Sequence, residues 1–336
     1  MAGAMPTGGG IGTNAPYCVE AANGYNCWPM IQAVRGRLVC VYSMGRRHGP
    51  GETGRGVYSR TSADKGRTWS DRVTVASDPK SAQSVVGKGL DEKGEALFWV
   101  RRYGRKSLMA LYRTQDGTTF ECVAEPAFAG PMMQITDIFH VPGVGMMAFW
   151  FGGSYGKDEE FRHWGVVTSA DNGRTWHQRV CGDGMGRKDW PTEPSGFYAG
   201  NGRIFCVART EVGPAQFQLT STDFGATWKV SRTNIRDVML STPSLLLDEK
   251  TGLVRNYYYQ REAGFLKRRT ARLSDVFDNA MAWPDPEILV SDRGVSYHAG
   301  NANAVEDSGV DYVAYYTGND SDCAVMVMPV PVGRLR

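Results

Sequence analysis

Short apolar runs separated by polar, glycine-bearing turns recur along the whole chain. Leu38–Ser43, Ala96–Val100, Met146–Phe151, Ile204–Ala208 and Tyr312–Tyr316 have strand length and are rich in Val, Phe, Tyr and Trp, residues that suit a half-buried pleated surface. No long stretch keeps apolar residues at helical spacing, so strands are expected almost throughout and very little helix. One turn sequence returns between the runs. It reads Ser62-Ala63-Asp64-Lys65-Gly66-Arg67-Thr68-Trp69, Ser169-Ala170-Asp171-Asn172-Gly173-Arg174-Thr175-Trp176 and Ser221-Thr222-Asp223-Phe224-Gly225-Ala226-Thr227-Trp228, with a worn copy at Thr114-Gln115-Asp116-Gly117-Thr118-Thr119-Phe120. Such an Asp can bond turn amides, and the Gly two positions on can take φ > 0. The Trp offers a large apolar plug where the next strand starts. The three aspartates stand 107 and then 52 positions apart, so one unit is about 50 residues, the period of propellers and repeat arrays. Six such units would use nearly all of the 336 residues, and the expected fold is all-β, a six-bladed β-propeller.

The repeated octapeptide resembles the Asp-box of sialidase-like propellers. The resemblance implies a propeller of the sialidase type, with the boxes on blade hairpins away from the site. Asp64, Asp171 and Asp223 are therefore read as turn residues, and function is sought elsewhere. Residues 1–14 are Gly-rich and read as a flexible lead-in; residues 15–336 are read as a single propeller domain.

Composition narrows the partners. With 38 Lys and Arg against 35 Asp and Glu, the net charge of +3 tolerates an anionic substrate without requiring one. The one short basic run, Leu266-Lys267-Arg268-Arg269, is read as a solvated strand face rather than a nucleic-acid arm. No apolar run has the length of a membrane span. The seven cysteines, at 18, 27, 40, 122, 181, 206 and 323, include no Cys-x-x-Cys pair, so no zinc site is expected and the thiols are expected to stay reduced. The N-terminal segment does not read as a secretion signal. Folding in a reducing cytoplasm follows as the expectation, and no cofactor is called for.

Three segments carry candidate chemistry. Trp190-Pro191-Thr192-Glu193-Pro194 puts a carboxylate on a loop, and the apolar run Ile204–Ala208 that follows ends in Arg209, a cation that needs an anion or carbonyls beside it. Tyr25-Asn26-Cys27-Trp28-Pro29 precedes the Gly-rich loop Met44-Gly45-Arg46-Arg47-His48-Gly49. Tyr257-Tyr258-Tyr259-Gln260-Arg261 is an aromatic strand running into an Arg. His140, His163, His177 and His298 lack comparable context and are read as structural.

The order Glu193, Arg209, Asp-box is similar to that of sialidases, in which such an Arg binds the carboxylate of sialic acid and such a Glu belongs to the active site. Exo-acting sialidases carry an Arg where this chain has Cys27, and an Asp acid on the loop where Glu52 is the only carboxylate near. The local pattern looks more like the endosialidases of bacteriophage tailspikes, whose site holds a His, a Glu and two Arg. By that match His48, Glu193, Arg209 and Arg261 are the candidate catalytic residues, and Trp28, Arg46, Arg47 and Tyr297 candidate substrate-binding residues. The likeness covers about residues 20–75 and 130–270.

The function so implied is hydrolysis of an acidic, sialic-acid-like polysaccharide. Its alternatives are a non-catalytic carbohydrate-binding propeller and an exo-acting sialidase using Tyr297. The implied partner is an acidic capsular or surface polysaccharide such as polysialic acid, with no nucleic acid and no membrane span. Virion tail proteins and a homotrimer belong to the same likeness, as does a place in a phage tail or release from the host cell. The chain ends at Arg336 without the stalk that holds those trimers together, so trimerisation does not follow.

Overall fold

The computed structural model describes residues 15–104, 108–129, 132–153, 162–183, 189–238, 240–261, 263–292 and 300–332. A short strand, β1 (Tyr17–Glu20), precedes a first blade of β2 (Tyr25–Val34), β3 (Arg37–Gly45), β4 (Gly56–Ser62) and β5 (Val73–Ala76). The second blade is β6 (Ala82–Leu90), β7 (Ala96–Tyr103), β8 (Leu108–Thr114) and β9 (Glu121–Ala124). The third is β10 (Met132–Val141), β11 (Gly145–Gly152), β12 (His163–Ser169) and β13 (His177–Asp183). The fourth is β14 (Thr192–Tyr198), β15 (Ile204–Arg209), β16 (Phe217–Ser221) and β17 (Lys229–Arg232). The fifth is β18 (Ser244–Asp248), β19 (Leu253–Gln260), β20 (Phe265–Arg272), a one-turn helix α1 (Leu273–Phe277) and β21 (Glu287–Ser291). The last is β22 (Gly300–Asp307), β23 (Val310–Gly318) and β24 (Cys323–Pro331). Four blades are separate four-stranded antiparallel sheets. The remaining two share one eight-stranded sheet, in which β1 pairs with β24 and supplies the outer strand of the last blade. The ring is thus closed with the N-terminal strand, and the fold is a six-bladed β-propeller.

The core is a set of layers between neighbouring blades. Val39, Val41 and Phe98 fill the space between the first and second blades, Trp99, Ile135 and Trp150 that between the second and third, and Phe149, Cys206 and Leu219 that between the third and fourth. The boxes supply a wedge to each of these three layers. Trp176 packs edge-on against Trp99 with ring centroids 5.1 Å apart, and Trp228 does the same against Trp164 at 5.8 Å. Each box aromatic therefore plugs the gap to the preceding blade, rather than the start of its own next strand. The worn copy follows the rule, since its Phe120 lies 6.3 Å from Phe98 of the first blade. The fifth blade has no box. Trp283, brought in beyond α1, occupies the equivalent layer and donates to Gln218 Oε1 at 3.1 Å.

The box hairpin is held as its chemistry predicts. Asp171 Oδ1 accepts from Ser169 Oγ and from the Thr175 amide, Oδ2 accepts from Thr175 Oγ1 at 2.6 Å, and the Gly173 amide donates to Ser169 Oγ. These bonds, those to Thr175 foremost, hold the Asp171 carboxyl down at about 2. Left-handed backbone is needed at two successive residues, Asn172 at φ 58° and Gly173 at φ 84°, which explains the Gly at the second.

The six inner strands are tied round the axis by buried polar bonds. Asn303 Oδ1 on β22 accepts from the Ile31 amide of β2, and Ser244 Oγ at the start of β18 accepts from the Ala304 amide. Ser195 Oγ on β14 accepts from the Leu245 amide and donates to Asp137 Oδ2 on β10 at 2.9 Å. Lys88 on β6 attracts Asp137 and donates to the carbonyls of Ile31 and Ala304, completing the circuit. At this radius the strands nearly touch: a Cβ at Gly87 would stand 2.3 Å from the Ile135 carbonyl oxygen.

Ser195→Ala removes one link and leaves a buried amide and a buried carboxyl short of a partner. A loss of about 2 kcal/mol in unfolding free energy is expected from such orphaned groups, read by equilibrium urea unfolding. An unchanged midpoint and slope would show the belt to be dispensable.

Candidate functional site

One end of the axis opens into a cavity of about 320 Å³. It is lined by the first residues of inner strands and the last residues of the strands that follow them, because antiparallel pairing brings both to the same end of a blade. Trp28, Glu193 and Asn301 come from the inner strands β2, β14 and β22; Arg101, Arg209 and Arg261 come from the ends of β7, β15 and β19. All three inner-strand residues are left-handed, at φ 52°, 46° and 58°. Each sits at a register shift, between Cys27 and Met30, Thr192 and Ser195, and Gly300 and Asn303. These bulges re-aim single side chains at the mouth. Left-handed Trp and Glu carry backbone strain of about 1–3 kcal/mol each, which the surrounding ring must hold in place. Below the mouth a narrow space of about 40 Å³ runs down to Asp137 and Asn303 of the belt.

Glu193 and Arg209 are paired directly. Thr192 stands opposite Arg209 in the β14–β15 register, so the bulged residue 193 lies beside the guanidinium. Arg209 Nη1 donates to Glu193 Oε1 at 3.0 Å, and Thr242 Oγ1 donates to the other oxygen. Burial alone would raise the Glu193 pKa; Arg209, Thr242 and Arg261 together outweigh it and hold the carboxyl below its ordinary value. The far edge of Arg209 meets a second carboxyl, Glu211, with Nε 3.3 Å from Oε1 and Nη2 3.4 Å from Oε2. Thr192 Oγ1 donates to Glu211 Oε1 at 2.5 Å. Burial pushes the Glu211 carboxyl up to about 7, with Arg209 and Thr192 opposing and Glu193 and Asp189 adding to the rise. Two carboxyls on one guanidinium are thus driven apart.

Arg261 is buried and donates through Nη2 to Asn301 Oδ1 at 3.0 Å. Arg101 donates to the Met133 carbonyl at 3.1 Å and lies 4.4 Å above the Tyr103 ring centroid. Part of the cavity wall is aromatic. His48 Nδ1 shares a 3.0 Å hydrogen bond with Tyr25 Oη, and its ring meets those of Tyr25 and Trp28 edge-on, each at 5.6 Å. Burial keeps the Tyr25 phenol protonated far above its ordinary range, so His48 is steadied by a neutral partner.

Of the residues expected from sequence, His48, Glu193, Arg209, Arg261 and Trp28 line this one cavity. Arg46 and Arg47 do not. The Arg46 side chain is 84% exposed and bonded to Glu52, and the Arg47 carbonyl accepts from Arg55. The physical reason is Glu52, whose carboxylate accepts from both backbone amides and from Arg46 Nε and so turns the loop outward. Tyr297 lies outside the described residues.

Three charged residues of the site were not anticipated. Arg101 follows the apolar run Ala96–Val100, the same signal that marked Arg209. Glu211 stands two positions after Arg209 in a turn, with nothing local to distinguish it. Arg55 explains the cysteine at position 27: its fully buried guanidinium donates to Cys27 Sγ at 3.2 Å, lies 4.9 Å from the Trp28 ring centroid and pairs with Glu52 at 3.2 Å. A cation thus reaches the Cys27 position from β4's leading edge, behind the cavity wall.

No protein-family model matches the chain, and no curated protein sequence matches it. Solved structures do. A protein of unknown function from Dyadobacter fermentans DSM 18053 superposes with a TM-score of 0.75 at 15% identity, over 94% of this chain and 98% of that one. A K499G mutant of the NanB sialidase from Streptococcus pneumoniae gives 0.72 at 11% identity, over 96% and 71%. The endosialidase of phage phi92 gives 0.63 at 10%, over 96% and 69%. The fold is a sialidase-type propeller; identities this low speak for the fold alone.

Restoring an arginine at position 27 tests the account of Arg55. Cys27→Arg would bury two guanidinium groups beside the single carboxylate of Glu52, and a loss of roughly 3–5 kcal/mol is expected from the unpaired buried charge. Chemical denaturation reads it; a variant as stable as wild type would mean that Arg55 does not fill that place.

Proposed function

We propose that this protein hydrolyses a glycosidic bond in an acidic, sialic-acid-like polysaccharide. The observation that carries the reading is the convergence of Glu193, His48 and three arginines on one cavity at the mouth of the propeller axis. A cavity of about 320 Å³ suits one or two sugar units. Arg209 and Arg261 supply planar donor pairs for a sugar carboxylate, the geometry for which Arg is superior to Lys. Arg101 adds a third positive charge, and Trp28 an apolar face for a sugar ring.

Glu193 is held ionised by Arg209, Thr242 and Arg261, so it is suited to base and electrostatic work. In this reading it takes a proton from the attacking water and stabilises positive charge developing at the anomeric carbon. His48 orients the aglycone side. An assembly on a phage tail and a polymer-length substrate remain part of the same proposal, supported by the sequence motifs around Trp28 and His48 and by the likeness of fold.

Glu193→Ala is expected to lower kcat on oligosialic acid by at least about 10²-fold, the usual worth of a positioned acid–base group. Arg209→Lys should raise KM and lower kcat/KM together, because one point charge replaces a two-pronged donor. Chromatography of released fragments checks both. Wild-type protein that binds the polymer but releases nothing would contradict the hydrolase reading and identify a carbohydrate-recognition propeller.

A further inference from the structure

We propose that Glu211 is the proton donor to the departing glycosidic oxygen, working opposite Glu193 across the guanidinium of Arg209. The inference rests on the hydrolase reading and supplies the acid that the His48 loop lacks, since the carboxylate of Glu52 is engaged by Arg46 and Arg55.

Geometry places Glu211 for the role. It lines the same cavity as Glu193, His48 and Arg261. Its backbone is fixed: Asp189 Oδ1 accepts from the Glu211 amide at 2.7 Å and from the Val212 amide at 3.2 Å, while Asp189 Oδ2 accepts from Thr210 Oγ1. Asp189 is therefore a positioning residue. Arg209 holds Glu193 at Nη1 and Glu211 at the Nε/Nη2 edge. The two carboxyls thus flank one cation and line one cavity.

The charges around Glu211 decide which carboxyl keeps a proton. From β15 comes Arg209, from β14 Glu193 and the Thr192 hydroxyl, and from the segment ahead of β14 Asp189, which is itself paired with Arg232 of β17. Arg101, Arg261 and His48 line the same cavity. One guanidinium shared by two buried carboxyls cannot fully compensate both, and the charge of Asp189 lies on the Glu211 side. Burial first, and then these neighbours, bring Glu211 to about 7 while Glu193 stays low. Two titratable groups pushed apart in this way are suited to acid and base roles in one reaction.

The step balances. Water oxygen forms its bond to the anomeric carbon as Glu193 takes one of its protons. The carbon–oxygen bond to the leaving sugar breaks, its electron pair stays on that oxygen, and the Glu211 proton goes there. Glu193 ends protonated and Glu211 ionised, and exchange of one proton each with solvent restores the resting state.

The test compares wild type with E211Q on a sialic-acid dimer, whose leaving group needs a proton, and on an aryl sialoside, whose leaving group does not. E211Q is expected to lose at least about 10²-fold in kcat on the dimer and less than about tenfold on the aryl substrate. In wild type the dimer rate should fall as pH rises through about 7, a measurement that needs no variant. Equal losses on both substrates, or a wild-type dimer rate flat across that range, would overturn the assignment. A third readout does not depend on turnover. A carboxyl raised from 4.5 to about 7 in the folded protein binds more protons there than in the unfolded chain. Its contribution to stability is present below 4.5 and lost as pH rises through about 7. The unfolding midpoint of wild type should therefore drop relative to E211Q over that interval. A constant difference would overturn the inference even if hydrolysis is established. The expected drop with no cleavage of either substrate or of oligosialic acid would instead sink the hydrolase reading, and with it the donor role, while leaving the titration in place.

Discussion

The structure depends on closing a ring of six blades about an axis so tight that Gly87 has no room for a Cβ. The closure is made by the circuit that runs from Ile31 through Asn303, Ala304, Ser244, Leu245, Ser195, Asp137 and Lys88 back to Ile31. Its hydrogen bonds, together with the attraction between Lys88 and Asp137, each cross from one inner strand to another. Lys88 shows how tight the constraint is. Burial brings its ammonium down to about 8, with Asp137 opposing, and two backbone carbonyls are needed to keep it there. The apolar layers between blades then add the bulk of the stabilisation, with Trp69, Phe120, Trp176, Trp228 and Trp283 as wedges.

That closure is what allows strain at the mouth. Trp28, Glu193 and Asn301 sit two or three residues before the belt in their strands, at bulges. A left-handed Glu is held because Thr242, Arg209 and the strand below leave it no other position. The arginines are presented from the second strands for the same geometric reason: at this end of the propeller β7, β15 and β19 finish where β6, β14 and β18 begin. The cavity's charge pattern follows from the blade pattern, with cations on second strands and the strained Glu on a first strand.

Much of this was legible in the sequence where its cause is local. The box is a closed hydrogen-bonded loop of eight residues, so its spacing sets the blade period, and the apolar runs before Arg209 and Arg261 end in two cations that line the cavity. Arg101 carries that same mark and shows that the signal is more general than its first use. What could not be read depends on distant partners. The place of Arg46 is set by Glu52, the character of Glu211 by Asp189, Thr192 and burial, and the belt by residues as far apart as Lys88 and Ala304. The buried Arg55 that donates to Cys27 is likewise set by distant packing.

The central claim is that the mouth of the axis binds an acidic sugar through Arg209 and Arg261. A crystal structure of the protein with free sialic acid tests it most directly. The sugar carboxylate is expected within hydrogen-bonding distance, about 3 Å, of both guanidinium groups, with the anomeric carbon facing Glu193. A sugar seated elsewhere on the propeller, or in the cavity with its carboxylate turned away from both arginines, would contradict it.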